Sequence, residues 1–157
     1  MTAVNLRTED RLRISQMLTD YATALDGGDA TGLALVLAAR LRKLGTASGS
    51  MAKAFARDPA YGGQTEIAGL DFASSLARNS RAMRVSHHQV GLASIGFSGE
   101  AAARCHVGIR AVLQGSDSDS WLEVGGHYDH DLVKESEYWR IAFWRLDLRW
   151  ERPLLGR

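Results

Sequence analysis

The sequence predicts an α+β fold in which helices come first and a meander of long strands follows. Between residues 8 and 26, apolar side chains recur at spacings of three and four, the pattern of an amphipathic helix. After Arg81 the pattern changes to alternation, and short polar turns separate four strand-like segments. Short connections place consecutive strands antiparallel. We therefore expect three N-terminal helices packed on one face of a curved antiparallel sheet.

Length, composition and charge predict a single domain spanning residues 1–157. Hydrophobic residues make up 45% of the chain, and the net charge is +1. This balance gives no electrostatic reason to expect nucleic acid as a partner. The single cysteine cannot form an internal disulfide, and no apolar stretch is long enough for a signal peptide or a membrane span. We expect a cytoplasmic protein that binds neither membranes nor nucleic acids.

The first predicted helix ends on an acidic residue, which is unusual. Glycines 27 and 28 should stop the helix, because glycine adopts the left-handed conformation without a side-chain clash. Asp26 then lies at the C-terminal end, where the helix dipole disfavours a negative charge. Solvation would explain this carboxylate, but so would a basic partner held nearby. The adjacent histidines His87 and His88 are candidates for that partner.

Two further helices are predicted in the N-terminal half. Asp29 should cap a helix that continues to about Ala39, and a helical pattern returns over 66–79. Residues 40–68 have no clear period: residues 45–50 are small and polar, which suggests a loop or a weak strand, and residues 51–56 could form a short helical turn. Asp58-Pro59 and Gly62-Gly63 are turn signals.

The four strand-like segments span roughly 82–97, 100–114, 120–133 and 138–150. Side chains alternate between the two faces of a strand, so parity predicts which residues face the interior. In the first segment, the even-numbered positions 86 to 92 are more apolar than the odd ones. We therefore expect His88 to face inward and His87 to face outward.

Parity leaves three other histidines less settled. In the second segment, the odd positions 105 to 113 form a clean apolar face, so His106 faces either solvent or a polar part of a pocket. In the third segment, His130 shares parity with Tyr128, and His127 lies opposite. A bulge at glycines 125 and 126 would reverse the parity beyond it, so these two histidines cannot be ranked. Alternation also separates His127 from His130, and we expect no metal site.

Several motifs resemble one family. The chain resembles the nuclear transport factor 2-like superfamily, and within it the SnoaL-like branch that includes scytalone dehydratase and hexachlorocyclohexane dehydrochlorinase. The motifs cover about two-thirds of the chain: Tyr21-Ala-Thr-Ala-Leu-Asp26-Gly-Gly-Asp29, Ser86-His87-His88-Gln-Val-Gly91, Ala103-Arg-Cys-His106-Val-Gly, Tyr138-Trp139-Arg-Ile-Ala142 and Leu146-Asp-Leu-Arg149-Trp150.

The resemblance implies a cone-shaped fold that encloses a mostly apolar pocket. It also implies that Asp26 at the end of the first helix pairs with His88 on the first long strand, and that His106 is a second catalytic histidine. Leu25 stands where scytalone dehydratase has a tyrosine, and residues 39–68 do not look like the usual first strands. The resemblance therefore implies no tyrosine pair of the kind that polarises a carbonyl group in that enzyme.

Together these observations predict a cofactor-independent lyase or isomerase of the dehydratase or polyketide cyclase type, acting on a small apolar organic molecule. His88 would be the general base, Asp26 its partner, and Tyr21 a pocket wall or hydrogen-bond donor. His106 or His130 would serve as an acid or a polar anchor. The predicted substrate-binding residues are Leu25, Val90, Tyr128, His130 and Phe143.

Two other functions fit the same sequence. One is a non-catalytic protein for small-molecule binding or assembly, because a fold alone does not fix function. The other is the small subunit of a ring-hydroxylating dioxygenase, although the usual long N-terminal arm is missing. We also expect a homodimer or homotrimer, because the strand face left free by the helices is predicted to be apolar.

Overall fold

The computed structural model describes residues 3–48, 61–117 and 119–154, together with residue 52. Within these residues the chain forms three helices and seven strands. The helices are α1 (Ala3–Asp26), α2 (Ala30–Val36) and α3 (Gly69–Arg81). The strands are β1 (Leu37–Ala47), β2 (Thr65–Ala68), β3 (Met83–Val90), β4 (Ser94–Phe97), β5 (Ala102–Gly115), β6 (Trp121–Glu135) and β7 (Tyr138–Leu154). The predicted α+β class is confirmed.

Helix α1 carries the predicted apolar stripe. It begins at Ala3, five residues before the predicted start at residue 8, and ends at Asp26, as expected. Gly28 has φ of +60°, so the helix ends through a left-handed glycine. The stripe is buried against the sheet: Ile14, Met17, Leu18, Tyr21, Ala22 and Leu25. None of the described helices combines the length and the apolar character needed to cross a bilayer.

The segment after α2 is a strand, contrary to the prediction of a helix to Ala39 followed by a loop or weak strand. Asp29 does cap α2, since its carboxylate accepts a hydrogen bond from the Gly32 N–H at 3.0 Å. The chain then enters the 11-residue strand β1, and β2 precedes α3. Strand β1 is held by pairing with β7, about 100 residues away. Local pattern cannot show such a partner. Residues 49–51 and 53–60 lie outside the described part of the chain.

The sheet is mixed rather than wholly antiparallel. Its strand order is β2-β1-β7-β6-β5-β3, and β4 pairs with β5 beyond the end of β3. Strands β1 and β7 run parallel, whereas the other described pairs are antiparallel. The turn lengths predicted the antiparallel order of the C-terminal strands correctly. They carried no information on β1, which no short turn joins to β7.

The helices pack on one face of the sheet, and this inner face forms the core. The outer face was predicted to be apolar, and that prediction is wrong for the described strands. Glu123 forms ion pairs there with both Arg110 and Arg152, and Asp131 pairs with Arg104. Strand patterning predicted an apolar outer face, but salt bridges between outward-facing side chains lie there instead.

Candidate functional site

A cavity of about 270 Å³ lies between the inner face of the sheet and helices α1 and α3. Aliphatic and aromatic side chains form most of its wall, and the polar lining groups are few. It is lined by Tyr21, Leu25, Tyr61, Leu76, Asn79, Ser80, Ala82, Met83, Ser86, His88, Ile109, Ala111, Leu113, Val124, Tyr128, Trp144, Leu146 and Leu148. A space of this size and character is suited to a small, largely apolar molecule.

Asp26 and His88 meet at the wall of this cavity. The Nδ1 atom of His88 lies 2.6 Å from Oδ1 of Asp26. The backbone N–H of His88 also donates to the carboxylate, at 2.9 Å from Oδ2. The side chain of His88 is 15% exposed and that of Asp26 is 21% exposed, so both are largely shielded from solvent, and His88 lines the cavity. The end of α1 and the edge strand β3 thus hold an acid and a base together.

The hydrogen bond fixes the tautomer of His88. An ionised carboxylate only accepts hydrogen bonds, so Nδ1 must carry the proton that joins the two side chains. Nε2, on the other side of the ring, is then an acceptor. His88 lines the cavity, so this nitrogen is the basic atom available to a bound molecule. This is the arrangement in which a carboxylate orients an imidazole base.

Asp26 remains ionised despite its position. Partial burial raises its pKa, but hydrogen bonds from the side chain and backbone of His88, the charge of His88 and a hydrogen bond from Ser86 together outweigh this effect. The pKa of Asp26 is therefore below its ordinary value of 3.8. The carboxylate can stabilise an imidazolium on His88 across the range where imidazoles exchange protons.

Helix α3 and strand β3 hold the end of α1 in place. The hydroxyl of Ser80 donates to the carbonyl oxygen of Leu25, and the guanidinium of Arg81 donates to that of Gly28 at 2.7 Å. Ser86 donates to Oδ1 of Asp26 at 3.2 Å. Sequence reasoning gave these residues no role, although parity had already placed Ser86 on the inner face beside His88.

A cluster of aromatic side chains forms a second part of the cavity wall. The indole N–H of Trp144 donates to the hydroxyl oxygen of Tyr21 at 2.9 Å. The ring of Tyr128 meets that of Tyr21 edge to face, with centroids 5.6 Å apart. Burial raises the pKa of both phenols. They are therefore neutral hydroxyl groups, able to donate to a ligand but not to act as anions.

His130 lies one layer behind this cluster. Its ring stacks on Tyr128 with centroids 4.8 Å apart, and its Nδ1 accepts a hydrogen bond from the backbone N–H of Arg145 at 3.2 Å. Burial lowers the pKa of His130 to about 3, so the ring is neutral. His130 packs against the lining residues Tyr128 and Trp144 but is not itself among the lining side chains.

Side chains alternate along β6 without interruption, so the face of the sheet on which His127 and His130 each lie can be assigned. The register between β5 and β6 runs without a shift from Ala102 to Gln114. Near glycines 125 and 126, the register shift leaves the extra residue, Arg149, on β7. His130 therefore faces inward, and His127 faces outward.

His106 and Phe143 lie on the outer face and do not line the cavity. For His106 this is the solvent side of the two positions that parity left open, whereas the expected pocket position of Phe143 is wrong. The Nδ1 atom of His106 is 2.6 Å from Oδ1 of Asp129, and the side chain is 53% exposed. The ring of Phe143 lies under the guanidinium of Arg42, 4.4 Å away. Both positions have one cause: each residue alternates with a cavity-facing or core neighbour along its strand.

Of the remaining predicted site residues, all but Val90 line the cavity. Leu25, Tyr21 and Tyr128 line the cavity with His88. Val90 is half-buried at the end of β3 and is not a lining residue. Parity failed just beyond it, because Leu92 follows the end of the strand and is fully exposed.

Sequence reasoning missed Trp144 and Tyr61, which the structure brings to the cavity. Trp144 stands at an apolar position of its strand, and an apolar position that lines a cavity has the same alternation as one that fills a core. Tyr61 lies in the segment with no readable period. Only the arrangement of the elements distinguishes these two residues from ordinary core residues.

The described residues contain no group of three histidine, cysteine or acidic side chains placed to bind a metal ion. Cys105 is buried, and burial raises the pKa of its thiol to about 12. A thiol of this kind acts as a small apolar core residue.

Comparison with known proteins gives a family and a set of structural neighbours. Residues 6–145 match the model of a SnoaL-like domain. A proposed scytalone dehydratase from Novosphingobium aromaticivorans superposes with a TM-score of 0.76 at 17% identity, covering 98% of this chain and 93% of that one. A hexachlorocyclohexane dehydrochlorinase, LinA-type3 from Novosphingobium barchaimii, gives 0.76 at 13% identity, covering 99% and 97%.

A protein from Kribbella flavida is also similar, with a TM-score of 0.76 at 18% identity, covering 93% of this chain and 95% of that one. At these identities the structural likeness shows a common fold. The search of curated proteins gives no match.

Proposed function

Because the chain belongs to the family of SnoaL-like domains, we propose that it is a cofactor-independent lyase or isomerase of the dehydratase or cyclase type. The observation that carries this proposal is the 2.6 Å contact between Asp26 and His88 at the wall of an apolar cavity. A base that is held by a partly buried carboxylate and lines an apolar cavity can transfer protons without a cofactor.

In the proposed reaction, Nε2 of His88 removes a proton from a carbon or hydroxyl group of the substrate. The electrons of the broken bond form a double bond in the substrate, and Asp26 stabilises the imidazolium through Nδ1–H. In a lyase, the bond to the leaving group breaks with its electron pair, and His88 or water then gives a proton to that group. In an isomerase, an existing double bond shifts, and the imidazolium of His88 returns a proton to the atom at its far end. Proton transfer of this kind contributes about 10²- to 10⁴-fold in rate.

The proposed substrate is a small, uncharged and mostly apolar molecule. No Asp, Glu, Lys or Arg is among the described side chains that line the cavity. A charged group would lose its hydration there without gaining a partner of opposite charge. The hydroxyl groups of Tyr21 and Tyr128, which share a hydrogen bond, are the proposed polar anchor, and the indole N–H of Trp144 donates to the oxygen of Tyr21. The proposal includes assembly as a homodimer or homotrimer.

The test uses proton exchange, because the substrate is not yet identified. The protein is incubated in D₂O with a panel of neutral cyclic ketones and hydroxy-ketones, and deuterium uptake at carbon is followed by mass spectrometry. We expect at least one compound to exchange faster than in buffer. His88→Gln and Asp26→Asn should each lower that rate by about 100-fold or more, with the thermal unfolding transition retained.

The matched control is His106→Gln. His106 is also 2.6 Å from a carboxylate, but it lies on the outer face and should leave the exchange rate unchanged. Equal activity in His88→Gln and the unmodified chain would contradict the proposed base. Binding of the panel compounds without exchange would favour the alternative, a non-catalytic protein that binds small molecules.

A further inference from the structure

The carboxylate of Asp26 lies at the free edge of the sheet rather than above either face. Strand β3 ends the strand order and pairs with β5 along its other side. The backbone N–H of His88 points away from β5 and donates to both oxygens of Asp26, at 2.9 and 3.1 Å. Backbone hydrogen bonds of a strand lie close to the plane of its sheet. The carboxylate therefore occupies the position of a missing neighbouring strand.

From this edge position, one carboxylate is within reach of both faces of the sheet. His88 approaches from the inner face, with Nδ1 at 2.6 Å from Oδ1. His87 approaches from the outer face, with Nδ1 at 3.7 Å from Oδ2. The side chain of His87 is 64% exposed, whereas that of His88 is 15% exposed. Two imidazoles in opposite environments thus share a single counter-charge.

We propose that His87 tunes the base from the solvent side: when His87 is protonated, it competes for Asp26 and disfavours the imidazolium form of His88. His87 is a positioning residue in this scheme, because it acts on the base through Asp26 and does not touch the substrate. The catalytic consequence depends on the proposed function, but the coupling between the two histidines is a property of the folded chain.

The sign of the effect follows from the charges. One imidazolium beside Asp26 is attracted to the carboxylate, but a second one is repelled by the first. A proton on His87 therefore disfavours a second proton on His88, because the two rings share the one carboxylate of Asp26. Arg110 lies diagonally across from His87 on β5, opposite Gln89, and is already paired with Glu123. Arg110 stays positively charged over the range in which imidazoles exchange protons, so it does not cause a pH-dependent change at His87.

The test is the NMR titration of the His88 imidazole in the full-length chain, which needs no substrate. In the unmodified protein, the two rings should titrate as a coupled pair, with a broadened curve for His88. In His87→Gln, we expect a single-site curve with a midpoint higher by on the order of 0.5 pH unit. In His87→Lys, which holds a fixed positive charge, the midpoint should fall instead. Both shifts should shrink in 1 M salt.

Two controls separate this proposal from the function itself. His106→Gln removes another exposed histidine of the outer face and should leave the His88 curve unchanged. Asp26→Asn should lower the His88 midpoint by more than either His87 variant shifts it. If Asp26→Asn shifts the curve but both His87 variants leave it unchanged, the role of His87 is overturned while the Asp26–His88 pair stands. If Asp26→Asn also has no effect, the pair itself fails.

Discussion

At the scale of single residues, the site depends on a carboxylate placed where a helix disfavours it. The C-terminal end of α1 repels the charge of Asp26, and partial burial adds to that cost. Hydrogen bonds from His88 and Ser86 more than offset both effects. The acid at the helix end is therefore explained by its partners and not by solvation, which was the simpler interpretation of the sequence.

This balance predicts how stability depends on pH. The folded-state pKa of Asp26 is below 3.8, so its stabilising contribution is complete above that value and is lost as pH falls through the lower, folded-state pKa. Asp26→Asn should therefore destabilise the protein by about 1–2 kcal/mol near neutral pH and by less in acid. Urea unfolding of both forms from pH 2 to pH 7 measures the difference. A difference that is constant over this range would contradict the proposed ionised partner.

At the scale of secondary structure elements, the contact between β6 and β7 decides where the histidines point. The register shift places the extra residue on β7, and β6 continues its alternation through Gly126. Gly126 is needed because the two backbones come too close for a side chain. A Cβ atom on Gly126 would lie 1.9 Å from the carbonyl oxygen of Asp147.

Gly126→Ala should therefore destabilise the protein, by about 2 kcal/mol or more, because backbone rather than a flexible side chain must move. The matched control is Gly108→Ala on the neighbouring strand β5, where a Cβ atom would meet nothing within 4 Å. We expect that variant to stay within about 0.5 kcal/mol of the unmodified chain. Circular dichroism during urea unfolding checks both. Equal stabilities of the two variants would contradict the close approach of β6 and β7.

Element boundaries also show where local pattern fails. The alternation and turn signals of the C-terminal half predicted β5, β6 and β7 nearly to their ends. The same approach missed β1, whose parallel partner β7 is far away in the chain. A strand whose stability comes from distant partners need not carry a strong local signature.

At the scale of the whole molecule, the outer face of the sheet bears on assembly. It is a network of ion pairs in which Glu123 is almost fully covered by the side chains of Arg110 and Arg152. Trp150 lies across Gly125 on the same face and is 46% exposed. An interface formed on this face would therefore consist of charged and aromatic side chains, and not of the apolar side chains that the sequence predicted.

We predict that the chain forms a homodimer or homotrimer, and sedimentation equilibrium checks this. The expected mass is two or three times 17.1 kDa. If the outer face forms the interface, raising salt from about 0.1 to 1 M should weaken the assembly, because screening reduces interactions between exposed charges. A monomer mass at every concentration tested would contradict the predicted assembly.

The sequence by itself determined features that depend on local order. The period of α1, the glycine end that leaves Asp26 last, and the alternation that selects His88 over His87 can all be recognised within about twenty residues. This is possible because side-chain direction in a helix or a strand follows from backbone geometry alone.

Only the tertiary structure decided which groups these side chains contact. Whether an inward-facing position fills a core or lines a cavity depends on the spacing between α1, α3 and the sheet, which no local pattern encodes. The same holds for the bond between Trp144 and Tyr21, the outer position of His106 and the sharing of Asp26 by two histidines. Each joins residues that are distant in the chain, and their meeting is fixed by the packing of whole elements.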